Sequence, residues 1–193
     1  MVLSFDYLSK IESNYDVLSS LDNYVSEYDG WISEQGAIAE NENEDDKETF
    51  SRILKKMEVA KKRMEDGFSL LKNDSVARKS FAIANRAMLA QMRGSIDSNN
   101  KSDVSNYCWR PFQLAFVLMV LNSSIDDDDT YRDTVDLIWF PTGGGKTEAY
   151  LGLMAFLFIY RKLKFPASSG GTISIMRYTL RLLTSQQFIR ACK

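Results

Sequence analysis

The run Phe140-Pro141-Thr142-Gly143-Gly144-Gly145-Lys146-Thr147 has the residue types and spacing of a phosphate-binding loop. Glycines let backbone N–H groups curl around an anion with no Cβ in the way. A lysine at the end of the loop reaches the β- and γ-phosphates, and the hydroxyl after it is a ligand for Mg²⁺. The start of a following helix adds partial positive charge. The chemistry this implies is the holding of ATP with Mg²⁺. Lys146 is the catalytic candidate. Thr142, Gly143, Gly144, Gly145, Lys146, Thr147 and Glu148 are candidate cofactor contacts, with Thr147 on the metal. The plainer alternative is a glycine-rich turn that happens to precede Lys-Thr.

Such a loop needs an element on each side. Val135-Asp136-Leu137-Ile138-Trp139-Phe140 is an apolar run of strand length, and residues 149–160 have the composition of a helix. After the turn at Phe165-Pro166-Ala167-Ser168-Ser169-Gly170-Gly171, the stretch Thr172-Ile173-Ser174-Ile175-Met176 is a second strand candidate, and residues 180–192 a further helix. Strand, helix, strand and helix in this order predict a parallel βαβ unit with a right-handed crossover. The expected fold class is α/β, with residues 105–193 forming the start of a P-loop lobe.

Residues 1–104 are expected to form an all-helical extension. Tyr7, Leu8, Ile11, Tyr15, Leu18 and Leu21 recur at helical spacing, and Asp29-Gly30 interrupts the pattern. Residues 40–46 form an acidic linker that leads into a helix carrying Phe50, Ile53, Leu54, Met57, Met64, Phe68 and Leu71 on one side. Acids gather at its start and bases later, as the helix dipole favours. Asn73-Asp74-Ser75 reads as a break and a new N-cap, and the next helix stops near Gly94. Pro111 is placed to open a helix whose residues 112–121 are buried on nearly all sides. Asp126-Asp127-Asp128-Asp129 reads as a solvated loop, because successive positions on a regular element point different ways.

Composition narrows the function classes. The chain of 193 residues is 45% hydrophobic and 12% aromatic, which suits a globular protein. It has no histidine, and its two cysteines, Cys108 and Cys192, lie far apart. Cys/His zinc sites and Ser-His or Cys-His nucleophile pairs are thereby excluded. The cysteine usage suits a reducing cytoplasm, and the first residues lack a signal-peptide pattern. The longest apolar runs fall far short of the roughly 20 residues that span a bilayer, so no membrane partner is expected.

Two further segments bear on the nucleotide. Trp109-Arg110-Pro111-Phe112-Gln113 lies upstream of the loop. The planar amide of Gln113 matches the N6 and N7 edge of adenine, and Arg110 lies beside it as a second cofactor contact. The alternative for Gln113 is an ordinary helix residue. Residues 149–193 contain no Asp or Glu but hold Arg161, Lys162, Lys164, Arg177, Arg181, Arg190 and Lys193. A basic stretch beside a phosphate site suits a polyanion. Arg177, Thr179, Arg181 and Gln187 offer donors where a strand ends and a helix starts, which suits sugar-phosphate contact without base reading. The alternative is a strand-to-helix turn whose arginines face water.

The loop also departs from the general pattern, which places a glycine where Phe140 stands. The shorter Pro-Thr-Gly-Gly-Gly-Lys-Thr form resembles that of superfamily 2 helicases. Together with Ala84-Asn85-Arg86-Ala87-Met88, Trp109-Arg110-Pro111-Phe112-Gln113-Leu114-Ala115-Phe116 and Met176-Arg177-Tyr178-Thr179-Leu180-Arg181, it resembles the large helicase subunit of DISARM-type bacterial anti-phage systems. The resemblance covers residues 73–193. It implies a motor with RecA-like lobes, ATP and Mg²⁺ as cofactors, DNA as partner with RNA left open, and other phage-defence subunits nearby. In that family's terms Gln113 reads adenine, and the segment 176–187 grips nucleic-acid phosphates. No acidic box follows the loop. The expectation is therefore a truncated lobe that is inactive alone, either the N-terminal part of a helicase or translocase or half of a split motor. A non-catalytic nucleotide- or nucleic-acid-binding module is the competing reading.

Overall fold

The computed structural model describes residues 2–40, 43–94, 107–141, 143–177 and 181–192, with backbone alone at 44, 45 and 181–184. The described elements are helices: α1 (Phe5–Leu8), α2 (Tyr15–Glu40), α3 (Glu44–Asn73), α4 (Ser75–Gly94), α5 (Pro111–Ile125), α6 (Lys146–Lys164) and α7 (Arg181–Cys192). α3 packs on α2 and α5, and α6 packs on α4 and α5. Their shared core holds Phe5, Leu21, Leu71, Phe81, Leu114, Leu118, Leu121 and Phe156. No residue of 112–121 is exposed, as expected from a run that is apolar at every position but Gln113.

The expected α/β class, a RecA-like P-loop lobe built on a parallel βαβ unit, is overturned. Among the described residues there is no strand, only one isolated antiparallel bridge between Ser4 and Cys108. Both strand candidates lie between helices without ladder partners. Their apolar side chains show the consequence: Val135 is 92%, Leu137 80%, Trp139 89% and Ile175 85% exposed. A parallel strand is stable when neighbours take its backbone hydrogen bonds and both faces are covered. Neither condition holds here, so an apolar, β-branched sequence alone does not make a strand.

The helical expectations fared differently from place to place. Asp74 caps α4, its Oδ1 accepting from the amides of Val76 at 2.7 Å and Ala77 at 3.0 Å. The apolar repeat from Tyr7 to Leu21 is split by a turn, with α1 ending at Leu8 and α2 starting at Tyr15. Gly30 does not interrupt α2. A glycine costs a helix about 1 kcal/mol, which tertiary packing readily exceeds. α2 lies along α3, and Lys61 Nζ of α3 donates to Asp29 Oδ1 at 2.6 Å.

Two glycines differ in what surrounds them. At Gly67 a Cβ would stand 1.9 Å from the carbonyl oxygen of Leu118, so α3 meets the α5 backbone where only hydrogen fits. At Gly30 nothing lies within 4 Å. Gly67→Ala is therefore expected to destabilise the fold by about 1–3 kcal/mol or more. Gly30→Ala should stabilise it by about 0.5–1 kcal/mol. Urea titrations of both variants check the opposite signs.

Candidate phosphate-binding loop

Gly143 and Gly145 have left-handed backbones, with φ of 77° and 90°. Gly144 lies between them without a positive φ. Alternating handedness of this kind turns successive N–H groups toward one side and forms an anion-binding concavity. Gly145 is the N-cap of α6, so the amides of Lys146 and Thr147 open the helix. Such first-turn amides have no intrahelical acceptor. The amides of Gly143, Gly145, Lys146 and Thr147 meet no backbone acceptor among the described residues, whereas that of Gly144 closes a turn on the Pro141 carbonyl at 3.1 Å. A Cβ at Gly143 or Gly145 would strain the backbone, which explains glycine at both positions.

The start of α5 holds the other side of the loop. Arg110 Nη1 donates to the Gly144 carbonyl at 3.1 Å, and Gln113 Nε2 to the Gly145 carbonyl at 2.6 Å. Gln113 Oε1 also accepts from the Arg110 amide at 2.7 Å. Both ends of this buried amide are thus used inside the protein. With their carbonyls drawn toward α5, the peptide groups present their N–H ends the other way. Phe140, just before the loop, stacks on Phe112 with centroids 4.1 Å apart and also lies under Gly144.

The α5 start is itself locked in place. Trp109 Nε1 donates to Asn85 Oδ1 of α4 at 2.8 Å, and Asn85 Nδ2 donates to the Phe81 carbonyl at 2.9 Å. The indole edge fills the space where Gly152 of α6 would carry a Cβ, which would stand 2.2 Å from Trp109 Cη2. The Tyr24 hydroxyl of α2 donates to the Pro111 carbonyl at 2.7 Å. Burial pushes the Tyr24 phenol up to about 12, which keeps it a neutral donor. Asn85, Trp109 and Gly152, far apart in sequence, are one joint in space.

The remaining candidates are placed as follows. Lys146 Nζ donates to the carbonyls of Phe140 at 2.5 Å and Pro141 at 3.0 Å, arching over the approach to the loop. Thr147 is half-buried at the second position of α6, and its hydroxyl has no hydrogen-bond partner among the described residues. Glu148 forms an ion pair with Arg190 of α7. Arg177 is exposed, and half-buried Gln187 accepts from Arg190 at 3.5 Å. Thr142 and Thr179 lie outside the described residues, as does the side chain of Arg181. Sequence reasoning missed Asn85, Tyr24 and Arg190 as supports of the loop. For Asn85 the available signal was a lone asparagine on an apolar helix face.

This donor set fits a triphosphate with Mg²⁺: unpartnered amides at a helix start, an ammonium within the same loop, and a free hydroxyl beside it. The fold and the loop together define a helical protein with a glycine-rich turn at the head of α6. No family model matches the chain. It is similar to the DISARM protein DrmA of Bacillus paralicheniformis, at 37% identity over 199 residues, covering 95% of this chain. The chain spans 17% of that relative's length. Among the described residues no helix is long and apolar enough to cross a membrane.

Asn85→Ala leaves the Trp109 N–H buried without an acceptor. The expected cost is about 1–3 kcal/mol, read by chemical denaturation, with the loop loosened as judged by faster amide exchange at Gly144, whose N–H bonds the Pro141 carbonyl.

Proposed function

We propose that this chain carries the nucleotide-binding element of a phage-defence protein, holding ATP with Mg²⁺ at residues 143–147 and working with DNA and other defence subunits. The observation that carries the reading is the left-handed pair Gly143 and Gly145 beneath the unpartnered amides of α6. The relative's name, DISARM protein DrmA, supports the place in phage defence. ATP-driven movement on DNA is the activity proposed for the protein as a whole.

Each residue then has a task. The amides of Gly143, Gly145, Lys146 and Thr147 receive phosphate oxygens, and the helix start favours their charge. Lys146 exchanges its two carbonyl acceptors for the phosphates. Thr147 supplies a hydroxyl to the metal. Bound Mg²⁺ would neutralise phosphate charge, as in other phosphoryl-transfer sites. Arg110 and Gln113 act one step back by holding the loop carbonyls, so the amide of Gln113 shapes the cradle while it stays engaged there. Exposed Arg177, with Gln187, is the proposed contact for a nucleic-acid backbone, joined by Thr179 and Arg181 from the sequence pattern.

A second reading concerns hydrolysis. Glu148 is engaged with Arg190, and residues 149–193 hold no Asp or Glu to orient water. These residues thus bind nucleotide without cleaving it on their own, and the carboxylates come from elsewhere.

Lys146→Ala tests the proposal. Loss of a charge-assisted contact costs about 1.5–3 kcal/mol, or roughly 10- to 100-fold in Kd. The measurement is a titration with a fluorescent ATP analogue in the presence of Mg²⁺. Equal affinity in the variant and the native chain, or no binding by either, would sink the assignment.

A further inference from the structure

The amide of Gln113 is the group beside the loop whose chemistry could tell one base from another. Reading adenine takes one donor and one acceptor on the same planar group. Both are spent inside the protein. Nε2 donates to the Gly145 carbonyl at 2.6 Å, and Oε1 accepts from the Arg110 amide at 2.7 Å. The second of these bonds is also part of the cap that starts α5, with Arg110 as N-cap and Gln113 as the third helical residue. Gln113 is 3% exposed, so water does not compete for either bond.

The neighbouring polar groups are committed as well. A Cβ at Gly145 would meet Gln113 Nε2 at 2.6 Å, Glu148 Oε2 at 3.3 Å and Arg110 Nε at 3.7 Å. These three side chains thus converge on one side of Gly145. Glu148 is paired with Arg190, and Arg110 Nη1 donates to the Gly144 carbonyl at 3.1 Å. For Gln113 to turn to a base, the Arg110 amide must lose its acceptor and the Gly145 carbonyl its donor. A buried polar group left without a partner costs about as much as one bidentate contact with a base edge gains. The exchange would also release a carbonyl whose hold orients the loop amides. Stacking adds no discrimination. Phe140 is stacked on Phe112, and a base laid on exposed Trp139 would be accepted whatever its identity, because every base has a π-face.

Given triphosphate binding at residues 143–147, on which this rests, we propose that the ligand is a class and not one nucleotide. The loop holds the triphosphate group with Mg²⁺, Gln113 does not read the base, and its amide is a positioning group for the loop backbone. ATP, GTP and inorganic tripolyphosphate all belong to that class.

The test displaces a ribose-labelled fluorescent ATP analogue from the 193-residue chain with ATP, GTP or inorganic tripolyphosphate, in Mg²⁺ and at constant ionic strength. ATP and GTP should act within about threefold of each other, and tripolyphosphate should displace the analogue as well. An amide reading the adenine edge would instead separate ATP from GTP by roughly tenfold or more. Gln113→Met keeps the length of the side chain without its amide. It should weaken ATP and GTP by one common factor, roughly 3- to 10-fold. Exchange of the Gly144 amide should quicken in this variant, with helical circular dichroism unchanged. Three results would overturn the proposal while leaving nucleotide binding in place: a tenfold preference for ATP over GTP in the native chain, no displacement by tripolyphosphate, or a loss confined to ATP in Gln113→Met. If the analogue itself does not bind, the nucleotide reading fails and the base-blind loop fails with it.

Discussion

The glycine loop keeps its shape because its carbonyl oxygens are held by the first residues of α5. Arg110 and Gln113 each take one carbonyl, and the peptide N–H groups must then face the opposite side. This constraint works only if α5 starts at a fixed place relative to α6. Trp109 supplies that, with its N–H on Asn85 and its ring edge against Gly152. Tyr24 ties the same spot to α2 through the Pro111 carbonyl. Five residues, 109–113, thus join α2, α4, α6 and the loop. A buried polar joint of this kind is worth more whole than as separate bonds, because each unpaired member would be costly in a low-dielectric interior.

A second polar link serves the far side of the loop. Arg63 and Asp136 are paired through both Nη atoms, while Arg63 Nε is buried with no partner among the described residues, and the Arg63 side chain is only 7% exposed. Buried pairs add little net stability, since desolvation offsets the attraction, but removing either partner is expensive. Their effect here is positional. The pair fixes where the chain runs on its way from α5 to the loop, in a region with no backbone ladder to do so.

The sequence exposed some of this and hid the rest for physical reasons. The loop was legible because left-handed backbone at the head of a helix demands glycine, and glycine followed by Lys-Thr is a rare local pattern. Asp74 and Pro111 were legible as helix starts because capping is a local interaction. The strands were misread. Val135, Leu137 and Ile175 have strand-like side chains, but a strand is a relation between segments, and the described residues offer none to pair with. Gly30 was misjudged because a weak local preference yielded to packing of α2 along α3. Gln113 shows a subtler limit. Its amide chemistry suits an adenine edge as well as a backbone carbonyl, and only coordinates reveal that both its ends are engaged by Arg110 and Gly145.

Trp109 and Trp139 stand at opposite extremes, one buried against α6 and the other 89% exposed beside the loop. Indole emission shifts to the red in contact with water, so once the third indole, the exposed Trp31, is replaced by phenylalanine, the two rings report on different places within a single spectrum. Trp139 directly precedes Phe140, whose carbonyl receives the Lys146 ammonium. Its emission therefore senses the departure of that ammonium, while the short-wavelength component from Trp109 serves as an internal standard for an intact core.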